Sequence, residues 1–415
     1  MKTKSFVLWI SVAAVFLFAY WPDTSGKITD LLLLVIGAAL ITTKETRFGI
    51  KALWPKLKPY AWSLFAIFAL TAIAQVISYI HGQNSIDKET AVNYGRLAFN
   101  AYTFFVAAFL VYFYGKKYLL PASLAILLSP LLAIPAYWNP NEGVYVGGGR
   151  LMGFMQSPIL CGLWTVVAFI IGIVIFVNYK KAWQRILMAV VLVVLASFIE
   201  WSASRASWLG LLAAIVALIV YYACKEKIIM KAGLVAIAFI FSLIMGYRIA
   251  LIIQPKIHIL ALNRATNFAT SIIKFSPSEI ESQNQSEAWP KTFEFLLQNP
   301  LGLGFGYYGI ATLTTKYNYS YPFFASNSLM ELISYGGFGS LIALLILVFN
   351  LGKEAWKKIM SFSREDALRH LKLGWIVATA AFAVGILFTN AFLWRHTWFL
   401  LGTVLGICLD KTEQE

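Results

Sequence analysis

The sequence predicts an all-α polytopic membrane protein, and three observations carry that prediction. Hydrophobic residues make up 60% of the 415 and charged residues only 13%, with a mean hydropathy of +0.72. A water-soluble globule of that composition would expose far too much apolar surface. The apolar residues fall in runs long enough to cross ~30 Å of hydrocarbon as helices. Lysine and arginine recur between the runs in the alternating manner expected of cytoplasmic loops.

Taken in order, the runs lie near 5–21, 28–43, 60–80, 96–114 and 118–138, then 158–178, 184–201, 206–223 and 228–246, and finally 327–350, 371–391 and 395–410. These are about twelve transmembrane helices. Helices 1–9 occupy residues 1–246, a large extracytoplasmic loop follows over 247–326, and helices 10–12 with a short cytoplasmic tail fill 327–415. The first run follows a charged start as a signal peptide would, but "FAYWPDTSG" offers no small-x-small cleavage site, so it is read as a span. The stretch over 184–223 is cut only by "EWSASRAS", a tight polar hairpin.

With Met1 inside, the cytoplasmic stretches collect most of the 34 basic residues. They hold Lys44 to Lys58, Lys116 and Lys117, Lys180 to Arg185, Lys225 to Lys231, and Lys353 to Lys372. The formal charge of +15 is thereby explained as topology and contact with anionic lipid, not as nucleic-acid binding. Cys161, Cys224 and Cys408 are far apart and in or beside apolar runs, which gives neither a disulfide framework nor metal spacing. His81, His258, His370 and His396 are isolated, and no Ser-His-Asp pattern has workable spacing.

Polar groups of interest gather on the outer side. Arg205 lies in "SASRASWLG" between two apolar helices, where an arginine costs a few kcal/mol unless it reaches the interface or a partner. It either snorkels, paired with Glu200, or presents a planar fork to an anionic substrate group. Arg150 ends "YVGGGR", whose three glycines allow close backbone approach or form a plain flexible loop. Pro158 beyond it suits the first turn of a helix. In the long loop, Trp289, Phe293, Leu296 and Leu297 form a helical stripe ending at Asn299-Pro300. The alternation Gly302, Gly304, Gly306 shapes either a turn under a substrate or a tight bend.

Four segments, in order, resemble the O-antigen ligase and O-antigen polymerase superfamily of bacterial envelope glycan assembly. They are "GRLMGFMQSP", "SASRASWLG", "QNPLGLGFGYYG" and "SNSLMELISYGGFG". The twelve spans with one large outside loop between the ninth and tenth match as well. The charge placement sets both termini in the cytoplasm, and the resemblance implies an integral membrane glycosyltransferase of the bacterial inner membrane acting on a glycan carried by undecaprenyl diphosphate. With the histidines isolated and no Asp-x-Asp pair outside the membrane, a metal-free mechanism resting on arginines, without cofactor, is what an enzyme reading leaves. The partners implied are the lipid-linked glycan, membrane lipids and a chain-length regulator protein, without nucleic acid.

Carried over residue by residue, Arg205 matches the family's diphosphate-binding arginine after the seventh span, and Arg150 a basic position in the preceding outside loop. Arg248 or Arg264 stands for the loop arginine. Gly304, Tyr307, Ser326 and Asn327 fall in motifs expected to meet substrate. The sequence departs from the ligases at two places. Ser326 precedes Asn327 where ligases carry a histidine, and Gln285 stands one helical turn before Trp289 where a loop arginine is usual. The missing histidine favours a polymerase and leaves Glu287, Glu142 and His258 as candidate bases, with Arg205, Arg150, Arg264 and Glu287 as the catalytic set. A ligase acting on lipid A core or another acceptor is the alternative, and a lipid-linked oligosaccharide flippase or exporter a second one. The sequence shows no internal repeat of the kind transporters carry.

Overall fold

The computed structural model describes residues 2–17, 23–42, 44–83, 86–139, 146–147, 149–155, 157–253, 294, 297–305, 328–363, 366, 368–389 and 392–410. Among them are twelve α-helices, one on each predicted apolar run. They are α1 (Lys2–Leu17), α2 (Asp23–Thr42), α3 (Lys44–Ile80), α4 (Lys88–Tyr114), α5 (Lys116–Leu128), α6 (Pro158–Asn178), α7 (Ala182–Ser202), α8 (Arg205–Val220), α9 (Ile229–Ile253), α10 (Ser328–Ser361), α11 (Arg369–Ile386) and α12 (Arg395–Leu409). Eight described helices are long and apolar enough to cross a membrane, so the chain is an all-α multi-pass membrane protein; α1, α2 and α12 offer shorter apolar stretches.

Several boundaries differ from expectation. The basic stretch Lys44 to Lys58, expected as a loop, is the first part of α3, which continues through Pro55 and Pro59 for 37 residues. At 1.5 Å per residue such a helix is ~55 Å long. α9 runs on to Ile253, so Arg248 is a helix residue and not part of the loop. Lys353, Lys357 and Lys358 ride on the end of α10. α5 tightens into a 3₁₀ helix over Ser129–Tyr137, where Pro130 and Pro135 have no N–H to donate.

The centre of the molecule is α6, buried from Leu160 almost continuously to Val177 and packed by α5, α7, α8, α9 and α11. Beside this cluster, α12 lies along α4 and α10 along α3. Lipid tails are as apolar as leucine, so close van der Waals approach is what holds such helices together. Gly402 and Gly406, one helical turn apart, permit it: a Cβ at Gly402 would stand 2.1 Å from the Phe104 carbonyl oxygen, and one at Gly406 2.6 Å from that of Ala108. These neighbours are backbone and cannot rotate away. Gly402→Leu is expected to destabilise the protein by roughly 1–3 kcal/mol through overpacking, read as a lowered unfolding midpoint of the purified protein.

The end where α8 runs into a π-helical turn (Tyr221–Lys225) holds a buried ionic layer. Arg369 pairs with Glu226 at 3.1 Å, and Glu226 also accepts from the Tyr221 hydroxyl at 2.9 Å. Lys372, only 1% exposed, lies between Asp366 at 2.9 Å and Asp410 at 3.2 Å. Removing one partner of a buried pair strands the other charge, at about 3–5 kcal/mol. Arg369→Leu should therefore lower the unfolding midpoint strongly, while adding Glu226→Leu should restore much of the loss.

Candidate functional site

At the opposite end of α8 the chain reverses within two residues. Ser202 ends α7, Ala203 sits in the left-handed region (φ 47°), and Ser204 caps α8 by accepting from the Ser207 amide at 3.3 Å. Small side chains at 202–204 let the helices meet this closely, and Arg205 becomes the first residue of α8. Val146–Gly147 pairs antiparallel with Arg150–Leu151, Gly147 facing Arg150, and Gly149 takes the turn at φ 71°.

That ribbon presses against the hairpin. Arg150 donates from Nε to the Ser202 carbonyl at 2.8 Å and from Nη2 to that of Ala203 at 3.4 Å. The indole of Trp201 returns a bond to the Gly149 carbonyl at 3.3 Å and stacks on Tyr137. A guanidinium on the last carbonyls of a helix satisfies orphan acceptors and complements the dipole. Arg150 thus holds the turn from which Arg205 projects. Glu200 is buried, and its carboxylate makes no ion pair with Arg205 or with any other described residue. The Arg205–Glu200 pairing, part of one of the two readings of that arginine, is absent among the described residues.

A second feature at this end joins two glycine-rich motifs that are far apart in sequence. α10 is broken at Gly336 and at Gly337, which takes φ 68°, ψ −172°. Backbone groups freed by such a break must find partners inside a membrane protein. The Ser334 and Tyr335 carbonyls accept from the amides of Leu303 and Gly304, each at 2.8 Å, and the Phe338 amide donates to the Pro300 carbonyl at 3.1 Å. The Pro300–Gly304 stretch therefore completes the broken helix. Phe305 follows, fully buried, with ring centroids 4.8 Å from Tyr94 and 4.6 Å from Tyr335. Its carbonyl accepts from the Thr90 hydroxyl at 3.0 Å, and Thr90 belongs to the capping box that Asp87 sets at the start of α4.

The turn between α11 and α12 ties these parts together. Ser328, opening α10, donates to the Thr389 carbonyl at 2.7 Å. Glu331 accepts from the Phe392 amide at 3.2 Å and from the Tyr335 hydroxyl at 3.1 Å. The start of α8 packs on the end of α11, where a Cβ at Gly385 would stand 3.2 Å from the Ala206 carbonyl oxygen. Arg395 pairs with Asp30 of α2.

Of the sequence-predicted residues, Arg150 and Arg205 are brought to one hairpin. Arg248 lies exposed on α9, which returns to the same end as that hairpin and packs Gly246 against Ala196 and Ser197. Gly304 is buried against Gln75 of α3, and its amide serves the Tyr335 carbonyl. Arg264, Glu287, Tyr307, Ser326 and Asn327 lie outside the described residues, as do Glu142, His258, Gln285, Trp289 and Gly306. Sequence reasoning passed over Glu331 and Tyr335, whose signal was a carboxylate set within an otherwise apolar helix. Among the described residues no three His, Cys, Asp or Glu side chains group as metal ligands would. A scan against protein-family models and a search of curated proteins found no match.

Proposed function

We propose that the protein is a repeat-unit polymerase of the bacterial inner membrane, crossing it twelve times with both termini cytoplasmic and one large extracytoplasmic loop before α10. Its substrates are oligosaccharides carried on undecaprenyl diphosphate. A hydroxyl of a new lipid-linked unit attacks the reducing-end sugar of the growing chain, the new glycosidic bond forms, and the bond to the lipid diphosphate breaks. The hydroxyl proton passes to a base, for which Glu287 is proposed. Charge builds on the departing diphosphate, and fixed guanidinium groups in a partly dry site stabilise it. The reading rests first on the resemblance in motif order. The structural observation that supports it is the placement of Arg150 and Arg205 at one two-residue turn, Arg150 holding the carbonyls that end α7 and Arg205 opening α8.

Purified protein supplied with lipid-linked single units and nothing else tests the proposal. A ladder of lengthening products is expected. Transfer that occurs only when a separate acceptor is added would make the protein a ligase instead, and movement of the lipid across the bilayer without new glycosidic bonds would make it an exporter.

A further inference from the structure

Away from the hairpin, α2, α3 and α4 enclose a cavity of about 490 Å³. Its walls are hydrocarbon and aromatic, with Leu40 from α2, Trp54 from α3, and Phe105 and Phe109 from α4. Tyr102 bridges α4 to α2 by donating to the Leu33 and Leu34 carbonyls (2.9 and 3.1 Å). Gly37 makes room for that phenol, since a Cβ there would stand 1.8 Å from its oxygen. The cavity is therefore a built feature and does not close by side-chain rotation of Tyr102. It faces outward: Ile41 and Trp54 on its rim are 56% and 52% exposed.

Two cations complete the rim. Arg47 and Lys51 stand one helical turn apart on the face of α3 that also carries Trp54. Both are exposed, and neither makes an ion pair or hydrogen bond with a described residue. Cations beside an apolar wall in a membrane protein are expected to meet an anion or snorkel to water. A helix of another protein, ~10–12 Å across, would not enter such a space. A lipid fits both halves of the arrangement: an apolar chain fills the cavity, and a phosphate sits on the two cations.

From this charge complementarity we infer that the α2–α3–α4 cavity binds one acidic glycerophospholipid, its acyl chain within the cavity and its phosphate between Arg47 and Lys51. The site is separate from the Arg150–Arg205 hairpin, and the inference stands whether or not the polymerase reading does.

The full-length protein, purified in detergent, is to be titrated with phosphatidylglycerol, phosphatidylcholine and undecaprenyl phosphate, with bound lipid counted by native mass spectrometry. One phosphatidylglycerol per chain is expected, preferred over phosphatidylcholine. Arg47→Ala with Lys51→Ala should weaken that preference roughly thirtyfold, the loss expected of two cations near an acidic headgroup. Ile41→Trp, on the exposed rim, should exclude the acyl chain with both cations intact, and unfolding midpoints would check that each variant is folded. Equal binding of the two glycerophospholipids, folded variants that bind like the wild type, or displacement of phosphatidylglycerol by undecaprenyl phosphate at equal concentration would each overturn the inference.

Discussion

Arg205→Ala is expected to slow sugar transfer roughly a hundredfold or more, in keeping with the ~3 kcal/mol typical of one lost oxyanion-type contact. The loss should appear in the rate at saturating lipid-linked donor, because the charge that Arg205 is proposed to stabilise grows as the diphosphate departs. Arg205→Lys should recover only part, since an ammonium keeps the charge and loses the bidentate fork. The unfolding midpoint is to be read beside the rate; the cap of α8 itself, made by Ser204, is left in place by the substitution. Arg150→Ala should behave differently, lowering both rate and stability, because its guanidinium holds the Ser202 and Ala203 carbonyls that shape the turn. An Arg205→Ala protein that elongates chains at the wild-type rate would remove the hairpin from the mechanism.

Gly304→Val is expected to cost several kcal/mol of stability, on the order of 3 or more, and to lower the yield of folded protein. Two penalties combine at this residue. Its φ of +76° disfavours any side chain, most of all a β-branched one, and an added Cβ would stand 2.5 Å from the Gln75 Cα. Neither can be relieved without moving the segment that supplies amides to the broken α10, so the Ser334 and Tyr335 carbonyls would lose their partners inside the protein. Gly352→Ala is the useful contrast. That glycine lies in α10 itself with nothing within 4 Å of an added Cβ, so alanine there should be neutral or stabilising by about 0.4–1 kcal/mol. Equal unfolding midpoints for Gly304→Val and wild type would mean that Pro300–Gly304 does not support α10.

The helices were legible because a membrane leaves them little choice. A run of apolar residues in hydrocarbon must satisfy its own backbone, so composition and length locate the segment, and each expected run carries a helix among its described residues. Boundaries were less legible where polarity and helicity part company. The lysines of α3 mark where the chain meets water and say nothing about where its hydrogen bonding stops, which is why an expected loop proved to be helix. The hairpin at Ala203–Ser204 was visible as a polar break, and its partner was not. Nothing near Arg150 in sequence shows that its guanidinium closes the end of α7, 52 residues away.

By itself, then, the sequence determined that this chain lies in a membrane as a bundle of helices and that a polar break carrying Arg205 divides two of them, because hydrophobic periodicity and charge placement act locally. Only the tertiary structure decided which of those ends meet. The two glycine-rich motifs, the Arg150 ribbon with the α7–α8 turn, and the cations with the cavity of α2–α4 are all long-range pairings. Each depends on backbone groups and spaces that exist only once distant helices have packed.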